Sequence, residues 1–387
     1  MKPGRLIYFN NASTSWPKPR EVLEEVTRSL RQPYQSRGRV SVKGLLDYPS
    51  ATRELLCEFF KADEPGNFQF TANATDSLNT LIHGFAMRQK GGFHAITTEL
   101  EHNSVLRPLN TLESMGRLKL TIVPFDDSGY VRLDSIRDAL TDETKLVVMT
   151  HGSNVLGTVQ DIRGIGSYLK KQGVYFIVDG AQTAGHVKTE LSKLPVDAFA
   201  FTGHKALYGF QGIGGFYLKD PASVDPFRQG GTGSHSKMPL QPDFMPLKFE
   251  AGTPNYPGIA SLSAGVRFLK RIGLERIEKK TKSMNGRIIR RLCEESDITV
   301  YNKQPDLPLV SFNIQELAND DVEMILSESY GIIARSGDHC APLLHVRIDG
   351  GAGCVRLSLS YFNTMEECET VSDAISSLAK SARKYVR

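Results

Sequence analysis

The segment VYFIVDGAQTAGHVKTELSKLPVDAFAFTGHKALYG at residues 174–209 is the part of the sequence that decides the fold class. It contains two nearly continuous apolar runs, 174–180 and 198–203, which are typical of strands buried on both faces. Further strand-like runs lie at 68–71, 94–99, 118–125, 144–151 and 214–219, and helix-like stretches include 75–90 and 132–140. Because strands and helices alternate, the sequence predicts an α/β fold with a mostly parallel sheet.

The character of the chain changes after residue 220. Residues 221–258 contain seven prolines, which favour an extended, loop-rich connector. A helical tract at 259–296 follows, and then a second alternation with strands at 309–314, 332–335 and 355–360 and helices at 319–330 and 366–384. We therefore expect a large domain at 15–258 and a smaller α+β domain at 259–387, which the N-terminal residues 1–14 join.

The charge of the chain limits the kinds of partner that it is expected to bind. The 387 residues carry a net charge of +4, which is too small to indicate a nucleic-acid or membrane partner. The tract 267–291 holds ten lysines and arginines against two glutamates. It is either a patch for a tRNA or an acidic protein, or a solvated helix face. The second interpretation is favoured because no nucleic-acid motif accompanies the charges.

The five cysteines form no CxxC pair, so we expect no metal site, no disulfide framework and a reducing compartment. The N-terminus resembles no signal peptide, and no apolar run is long enough to cross a bilayer. These features predict a cytoplasmic protein with no membrane partner.

Polar residues follow the two apolar runs of the 174–209 segment. Asp179 lies at the end of the first run, and Thr202, His204 and Lys205 lie at or after the end of the second. Ligands bind beyond the carboxyl ends of strands in open α/β sheets, so these residues are predicted to meet at one site. A loop lysine paired with an upstream acid suits pyridoxal phosphate: the amine forms a Schiff base and the carboxylate keeps the pyridine nitrogen protonated.

Three motifs in and after the 174–209 segment resemble those of a known family. D-G-A-Q at 179–182, T-G-H-K-x-x-Y-G at 202–209 and G-I-G-G at 212–215 are similar to motifs of the class V aminotransferase family of fold-type I pyridoxal phosphate enzymes. Further matches in the family's order are YFNNAST (8–14), TANATDSLN (71–79), EHNS (101–104), HGSNVLGTVQ (151–160), EAGTPN (250–255), RSGDHCA (335–341) and VRLSLSYFNT (355–364). The cysteine desulfurase and selenocysteine lyase branch is the most similar.

The resemblance implies which residues hold the phosphate of the cofactor. Ala74 and Thr75 open a helix whose free N–H groups favour an anion. Thr202 and His204 are implied as further donors to the same phosphate. Thr253 is implied to reach the phosphate bound by the partner subunit of a homodimer.

A second implied set surrounds the ring of the cofactor. Lys205 is the Schiff-base lysine, Asp179 faces the ring nitrogen, and His102 stacks on the pyridine face. Asn154 and Gln182 are implied to bind the ring hydroxyl. His102 could instead be a structural histidine, and Asn154 a turn-former.

The resemblance also implies substrate-binding residues. Arg356, with Asn154, is implied to grip the substrate carboxylate, a bidentate task that suits a guanidinium; the alternative is a buried structural ion pair. Cys340 lies in a polar, glycine-containing loop beside a histidine, which are conditions that favour a nucleophilic thiol. R-x-G-x-H-C-A matches the short-loop, group II desulfurases. Lys205, Cys340 and His102 are therefore the predicted catalytic residues.

Three positions depart from the family pattern. Val40 stands where the family commonly has a histidine near the substrate. Asn10 replaces an aspartate, and Asp338-His339 replaces a histidine pair.

The sequence thus predicts a cysteine desulfurase that converts L-cysteine to L-alanine and leaves a persulfide on Cys340. Selenocysteine is a further candidate substrate, and a small sulfur-acceptor protein a candidate partner. The alternatives are a C–S lyase, an epimerase or an aminotransferase on the same scaffold, and an inactive sulfur-relay protein.

Overall fold

The computed structural model describes residues 6–33 and 46–385. Its strands are β1 Ile7–Tyr8, β2 Phe68–Thr71, β3 Phe93–Thr98, β4 Leu118–Val123, β5 Thr144–Thr150, β6 Tyr175–Asp179, β7 Ala198–Thr202, β8 Gly214–Leu218, β9 Ile298–Val300, β10 Leu309–Ile314, β11 Ile332–Ile333 and β12 Val355–Ser358. Its helices are α1 Arg20–Leu30, α2 Tyr48–Phe60, α3 Ala74–Arg88, α4 Asn103–Ser114, α5 Leu133–Ala139, α6 Ile162–Lys171, α7 Tyr256–Ile272, α8 Leu274–Cys293, α9 Asn319–Tyr330, α10 Pro342–Asp349 and α11 Met365–Tyr385.

The central sheet has seven strands in the order β2-β8-β7-β6-β5-β3-β4. Strands β7, β6, β5, β3 and β4 run parallel to one another, whereas β8 runs antiparallel to both β7 and β2. Thr150 of β5 pairs with Asp179 of β6, which pairs with Ala200 of β7. The carboxyl ends of these strands therefore meet at one edge, and the predicted α/β class with a mostly parallel sheet is confirmed.

Strand β7 shows why its sequence is apolar on both faces. Phe199 and Phe201 pack in one hydrophobic cluster with α2 and β2, and Ala198 and Ala200 pack in another with α3 and α4. Side chains alternate between the faces of a strand, so a strand between two helical layers needs an apolar residue at every position.

A separate hydrophobic cluster joins the C-terminal elements to the N-terminal segment. It contains Ile7 and Phe9 together with residues of α8, α9, α11 and strands β9 to β12. Strands β12-β10-β9 form an antiparallel sheet, and β1 pairs in parallel with β11. The first helix after the connector, α7, packs instead in the larger cluster beneath the central sheet. The domain boundary near residue 258 stays a prediction.

The helical tract expected at 259–296 is two helices. Gly273 separates α7 from α8 with a φ of 88°, a conformation that glycine adopts at no steric expense. Its N–H still donates to the carbonyl of Leu269 at 2.8 Å, which closes α7. The prediction of one continuous helical stretch was therefore wrong at this residue.

The basic tract at 267–291 is largely paired with acids. Arg267 contacts Glu25 of α1 at 3.2 Å, and Arg291 contacts Asp373 of α11 at 2.9 Å. These pairs support the interpretation as a solvated helix face. None of the helices in the described part of the chain combines the length and the apolar character that a membrane span requires.

Candidate active site

A cavity of about 360 Å³ lies at the carboxyl edge of the central sheet. Eleven predicted site residues line it: Ala74, Thr75, His102, Asn154, Asp179, Gln182, Thr202, His204, Lys205, Cys340 and Arg356. They come from the large sheet, from α3, from the start of α4 and from the C-terminal part of the chain. The structure therefore brings these residues together at the strand ends, as predicted.

Asp179 and Lys205 occupy adjacent strand ends. The Asp179 carboxylate accepts a hydrogen bond from the Ala181 N–H at 2.8 Å. Burial raises the pKa of Asp179, although that hydrogen bond and nearby Lys205 act in the opposite direction. Burial lowers the pKa of Lys205 to about 8, while Asp179 raises it. A lysine amine with this pKa has a substantial neutral fraction near neutral pH, which nucleophilic and proton-transfer chemistry needs.

The glycine of the D-G-A-Q motif is required by packing. A Cβ on Gly180 would lie 2.0 Å from Cζ of Phe199 in β7. Only a residue without a side chain lets the turn after β6 pass so close to the neighbouring strand.

One end of the cavity is suited to an anion. Helix α3 begins there, with Asn73 as its N-cap accepting from the Asp76 N–H at 3.0 Å. Ala74 and Thr75 are its first residues, and their N–H groups belong to the unpaired set at a helix start. Thr202 Oγ1 and His204 Nδ1 are buried without a hydrogen-bond partner among the described residues.

His102 is held by a short polar chain. Its Nδ1 accepts from the Ser104 N–H at 3.0 Å, which caps α4, and lies 2.8 Å from Ser104 Oγ. That hydroxyl is also 2.7 Å from Thr75 Oγ1. Burial, together with the positive charge of Lys205, lowers the pKa of His102 to about 4. The ring is therefore neutral near neutral pH.

The loop that carries Cys340 is fixed by hydrogen bonds to two of its backbone carbonyls. The carbonyl of His339 accepts from Asn154 Nδ2 at 2.7 Å, and that of Cys340 accepts from the Asn103 N–H at 2.8 Å. His339 and Cys340 have φ values of 48° and 58°, a left-handed conformation that costs a non-glycine residue about 1–2 kcal/mol. The Cys340 residue is exposed. The loop thus presents a thiol at the cavity in a constrained conformation.

Arg356 lies on β12 and is buried. Its Nη1 donates to the carbonyl of Asn154 at 2.7 Å and its Nη2 to Ser13 Oγ at 3.3 Å. Its Nε has no partner among the described residues. Burial lowers the pKa of Arg356 to about 10, so it stays charged at neutral pH. An ion pair with a carboxylate of the protein, the structural alternative, is not seen in the described residues.

Several lining residues were not predicted. The N-terminal segment reaches the cavity: the carbonyl of His204 accepts from the Ser15 N–H at 2.9 Å, and Gln182 Nε2 donates to the carbonyl of Ala12 at 3.2 Å. Ser13 also lines the cavity. Ser104 could have been found because it follows a capping histidine within E-H-N-S. No local pattern in the sequence points to Ser13.

One predicted site residue lies elsewhere in the described part of the chain. In this chain Thr253 lines a separate cavity of about 210 Å³ with Arg228, Glu250 and others, so its role across a dimer stays a prediction. Val40 lies outside the described residues.

Comparisons with known proteins cover nearly the whole chain. The model of the family described as aminotransferase class-V matches residues 7–371. A probable cysteine desulfurase of Pyrococcus abyssi is 34% identical in an alignment of 391 positions that covers 98% of this chain and 95% of that protein. A cysteine desulfurase of Cronobacter sakazakii is 31% identical and covers 95% of this chain and 92% of its own length.

A solved structure agrees with these matches. The apo structure of a cysteine desulfurase from Thermococcus onnurineus NA1 is 32% identical, with a TM-score of 0.87 over 97% of this chain and 95% of that chain. The family resemblance and the fold-type I architecture expected from the sequence are confirmed.

Proposed function

Because the chain belongs to the class V aminotransferase family, we propose that it is a pyridoxal phosphate-dependent cysteine desulfurase that uses Cys340 as its nucleophile. The main support for this proposal is that one cavity is lined by Cys340, Lys205, Asp179 and Arg356. The named relatives at 31–34% identity support the same activity.

The chemistry of the cavity fits the cofactor. The unpartnered Thr202 Oγ1 and His204 Nδ1 lie with the α3 N-terminus, a set that would bind the phosphate. The buried Asp179 would hold a protonated pyridine nitrogen, which compensates its own buried charge. Lys205 would hold the cofactor covalently through Nζ. When bound, the cofactor would supply an electron sink next to the substrate Cα.

The residues of the chain then have distinct tasks. Arg356 would bind the substrate carboxylate through Nε, which has no hydrogen-bond partner among the described residues, and Nη2, whose hydrogen bond to Ser13 is long at 3.3 Å. Once the substrate amine has displaced Lys205 Nζ from its covalent link, this amine, with a pKa of about 8, would accept the proton from the substrate Cα and return it when alanine forms.

Cys340 would perform the sulfur transfer. Its thiolate would attack the substrate sulfur, so that an S–S bond forms as the C–S bond breaks. The bonding electrons stay on the substrate carbon, which takes up a proton to become the methyl group of alanine. The sulfur remains as a persulfide on Cys340. A short, fixed loop cannot carry this sulfur far, which supports a small acceptor protein as partner.

We infer a homodimer with Thr253 acting in trans. Thr253 lies near the end of the proline-rich connector and does not line the active-site cavity of its own chain. Mixing Lys205→Ala and Thr253→Val dimers tests this arrangement, because only exchanged dimers contain one intact site. Exchange without recovery of activity would contradict it. We also infer a cytoplasmic location, which the free cysteines support.

The decisive experiment measures alanine, pyruvate and persulfide from L-cysteine. The wild type should release alanine and carry a persulfide. Cys340→Ala should retain the bound cofactor and lose alanine release by at least about 100-fold, the size expected when a covalent nucleophile is removed. Cys293→Ala removes an exposed cysteine at the end of α8 and is the matched control.

Pyruvate and ammonia as the products would identify a C–S lyase instead. Unchanged alanine release by Cys340→Ala would refute the desulfurase mechanism. The same assay with selenocysteine measures whether that substrate is also used.

A further inference from the structure

A buried cluster of potential metal ligands lies beside the Cys340 loop. It consists of His339, which precedes the nucleophile, His345 of α10 and Cys354 just before β12. The three residues are 5%, 0% and 0% exposed. One ligand atom from each lies within 4.8 Å of the others. His339 lines the active-site cavity, whereas His345 and Cys354 do not, so the cluster extends behind that cavity.

The hydrogen bonds of the two histidines leave one nitrogen of each ring unused. His339 Nε2 lies 3.0 Å from the carbonyl of Cys354, to which it can only donate, so Nδ1 carries the lone pair. His345 Nδ1 lies 2.6 Å from Asp349 Oδ2, which favours the proton on Nδ1 and the lone pair on Nε2. Neither His339 Nδ1 nor His345 Nε2 has a partner among the described residues, although both are buried.

Two buried lone pairs without a donor call for an explanation, because buried polar atoms are nearly always satisfied. An electron-pair acceptor between them would satisfy both atoms at once. The thiol of Cys354 is close enough to be a third ligand of that acceptor.

We propose that His339, His345 and Cys354 form a binding site for a borderline-soft divalent metal ion, for which Zn²⁺ is the probe. Imidazole and thiolate ligands are the set that zinc prefers, and a fourth position can hold water. Asp349 completes the arrangement, since a carboxylate on the second nitrogen orients a metal-binding histidine. This proposal replaces the expectation of no metal site, which considered only cysteine spacing.

The geometry needs modest adjustment. Ligand atoms around a tetrahedral zinc ion lie about 3.3–3.8 Å apart, so the present spacing requires a contraction of at most about 1.5 Å. On binding, the S–H bond of Cys354 breaks, its proton passes to solvent and an S–Zn bond forms, without oxidation or reduction. The ion would fix the side chain of His339 and thereby stiffen the loop that carries Cys340.

The first test removes bound metal from the holoenzyme by dialysis against a chelator and then titrates the protein with Zn²⁺ to measure stoichiometry and affinity. We expect one Zn²⁺ per chain in the wild type and in Cys340→Ala, which excludes the catalytic thiol as a ligand. His345→Leu and Cys354→Ala should each weaken binding by at least about 100-fold, and Asp349→Asn by about 10–100-fold. Cys368→Ala, which removes a buried cysteine of α11, is the matched control and should bind normally.

The second test does not depend on any variant folding. Zinc-edge X-ray absorption of the loaded wild type should show one sulfur at about 2.3 Å and two imidazole nitrogens at about 2.0–2.1 Å. The proposal is refuted if the folded wild type binds no stoichiometric zinc, if its zinc shell lacks sulfur, or if Cys340→Ala abolishes binding. None of these measurements depends on desulfurase activity, so this site and the proposed function can fail independently.

Discussion

The buried carboxyl of Glu101 provides a quantitative test of the electrostatics beneath the active site. Glu101 is 0% exposed, and its Oε1 accepts from Thr98 Oγ1 at 2.6 Å and from the Thr150 N–H at 2.9 Å. Its Oε2 has no partner among the described residues. Burial raises the pKa of Glu101 to about 8; the two hydrogen bonds oppose this rise, and the neighbouring charge of Asp179 adds to it.

The sign of the effect follows from linkage. The folded pKa lies above the ordinary value of 4.5, so the folded state prefers the neutral acid. The corresponding stability is fully present below that ordinary pKa and is lost as pH rises through the folded pKa. At 1.36 kcal/mol for each pH unit, wild type should lose about 3–4 kcal/mol of unfolding free energy between pH 5 and pH 8 from this group alone.

Glu101→Gln keeps the shape and one carbonyl acceptor but cannot ionise. Urea unfolding of both proteins at pH 5 and pH 8, at equal cofactor concentration, isolates the group, because the other titrations are shared. The unfolding free energy of Glu101→Gln minus that of wild type should be about 3–4 kcal/mol larger at pH 8 than at pH 5. Glu54→Gln removes an exposed glutamate, and its corresponding difference should change by less than about 0.5 kcal/mol. Parallel pH dependence of Glu101→Gln and wild type would refute the buried, neutral acid.

Three further outcomes follow from the site. Arg356→Lys should raise KM for cysteine by about 10–100-fold, because a lysine offers no planar fork and a lost charged hydrogen bond is worth about 1.5–3 kcal/mol; steady-state kinetics measures it. Gly180→Ala should lower the unfolding free energy by about 1–3 kcal/mol, since its Cβ overlaps Phe199; denaturant unfolding checks this, and an unchanged midpoint would contradict it. Thr202→Val should weaken cofactor binding by about 5–10-fold in an equilibrium titration, because the valine has no hydroxyl for the phosphate; equal affinity would remove Thr202 from the phosphate site.

The strand bounds could be predicted because burial on both faces leaves an apolar run in the local sequence, and the convergence of site residues because parallel strands end at one edge of a sheet. Every residue of β7 faces a buried layer, so its apolar run marks the strand directly. Parallel strands end at one edge, so Asp179 and Lys205 had to approach each other once the strands were assigned.

The remaining features depend on the tertiary structure. Gly273 divides α7 from α8 through a φ of 88°, whereas a single glycine in a helical pattern is also compatible with a continuous helix. The pKa of Glu101 is raised by burial in the folded chain and by the charge of Asp179 at the end of β6, and neither effect is visible in the local sequence. His345 and Cys354 belong to a helix and a strand start, and no spacing rule relates them to His339 until the loop is folded.

Asn154 has a further consequence for the length of acceptable substrates. Its side chain holds the carbonyl of His339 and its own carbonyl holds Arg356, so one residue connects the nucleophile's loop to the carboxylate grip. Asn154 is thus one of the contacts that hold the Cys340 loop relative to Arg356, together with the Asn103 N–H bond to the Cys340 carbonyl and the bond from Arg356 to Ser13. In the proposed mechanism, a longer substrate such as homocysteine would have to fit between the held Cys340 loop and Arg356, so Asn154 would contribute to selection by chain length.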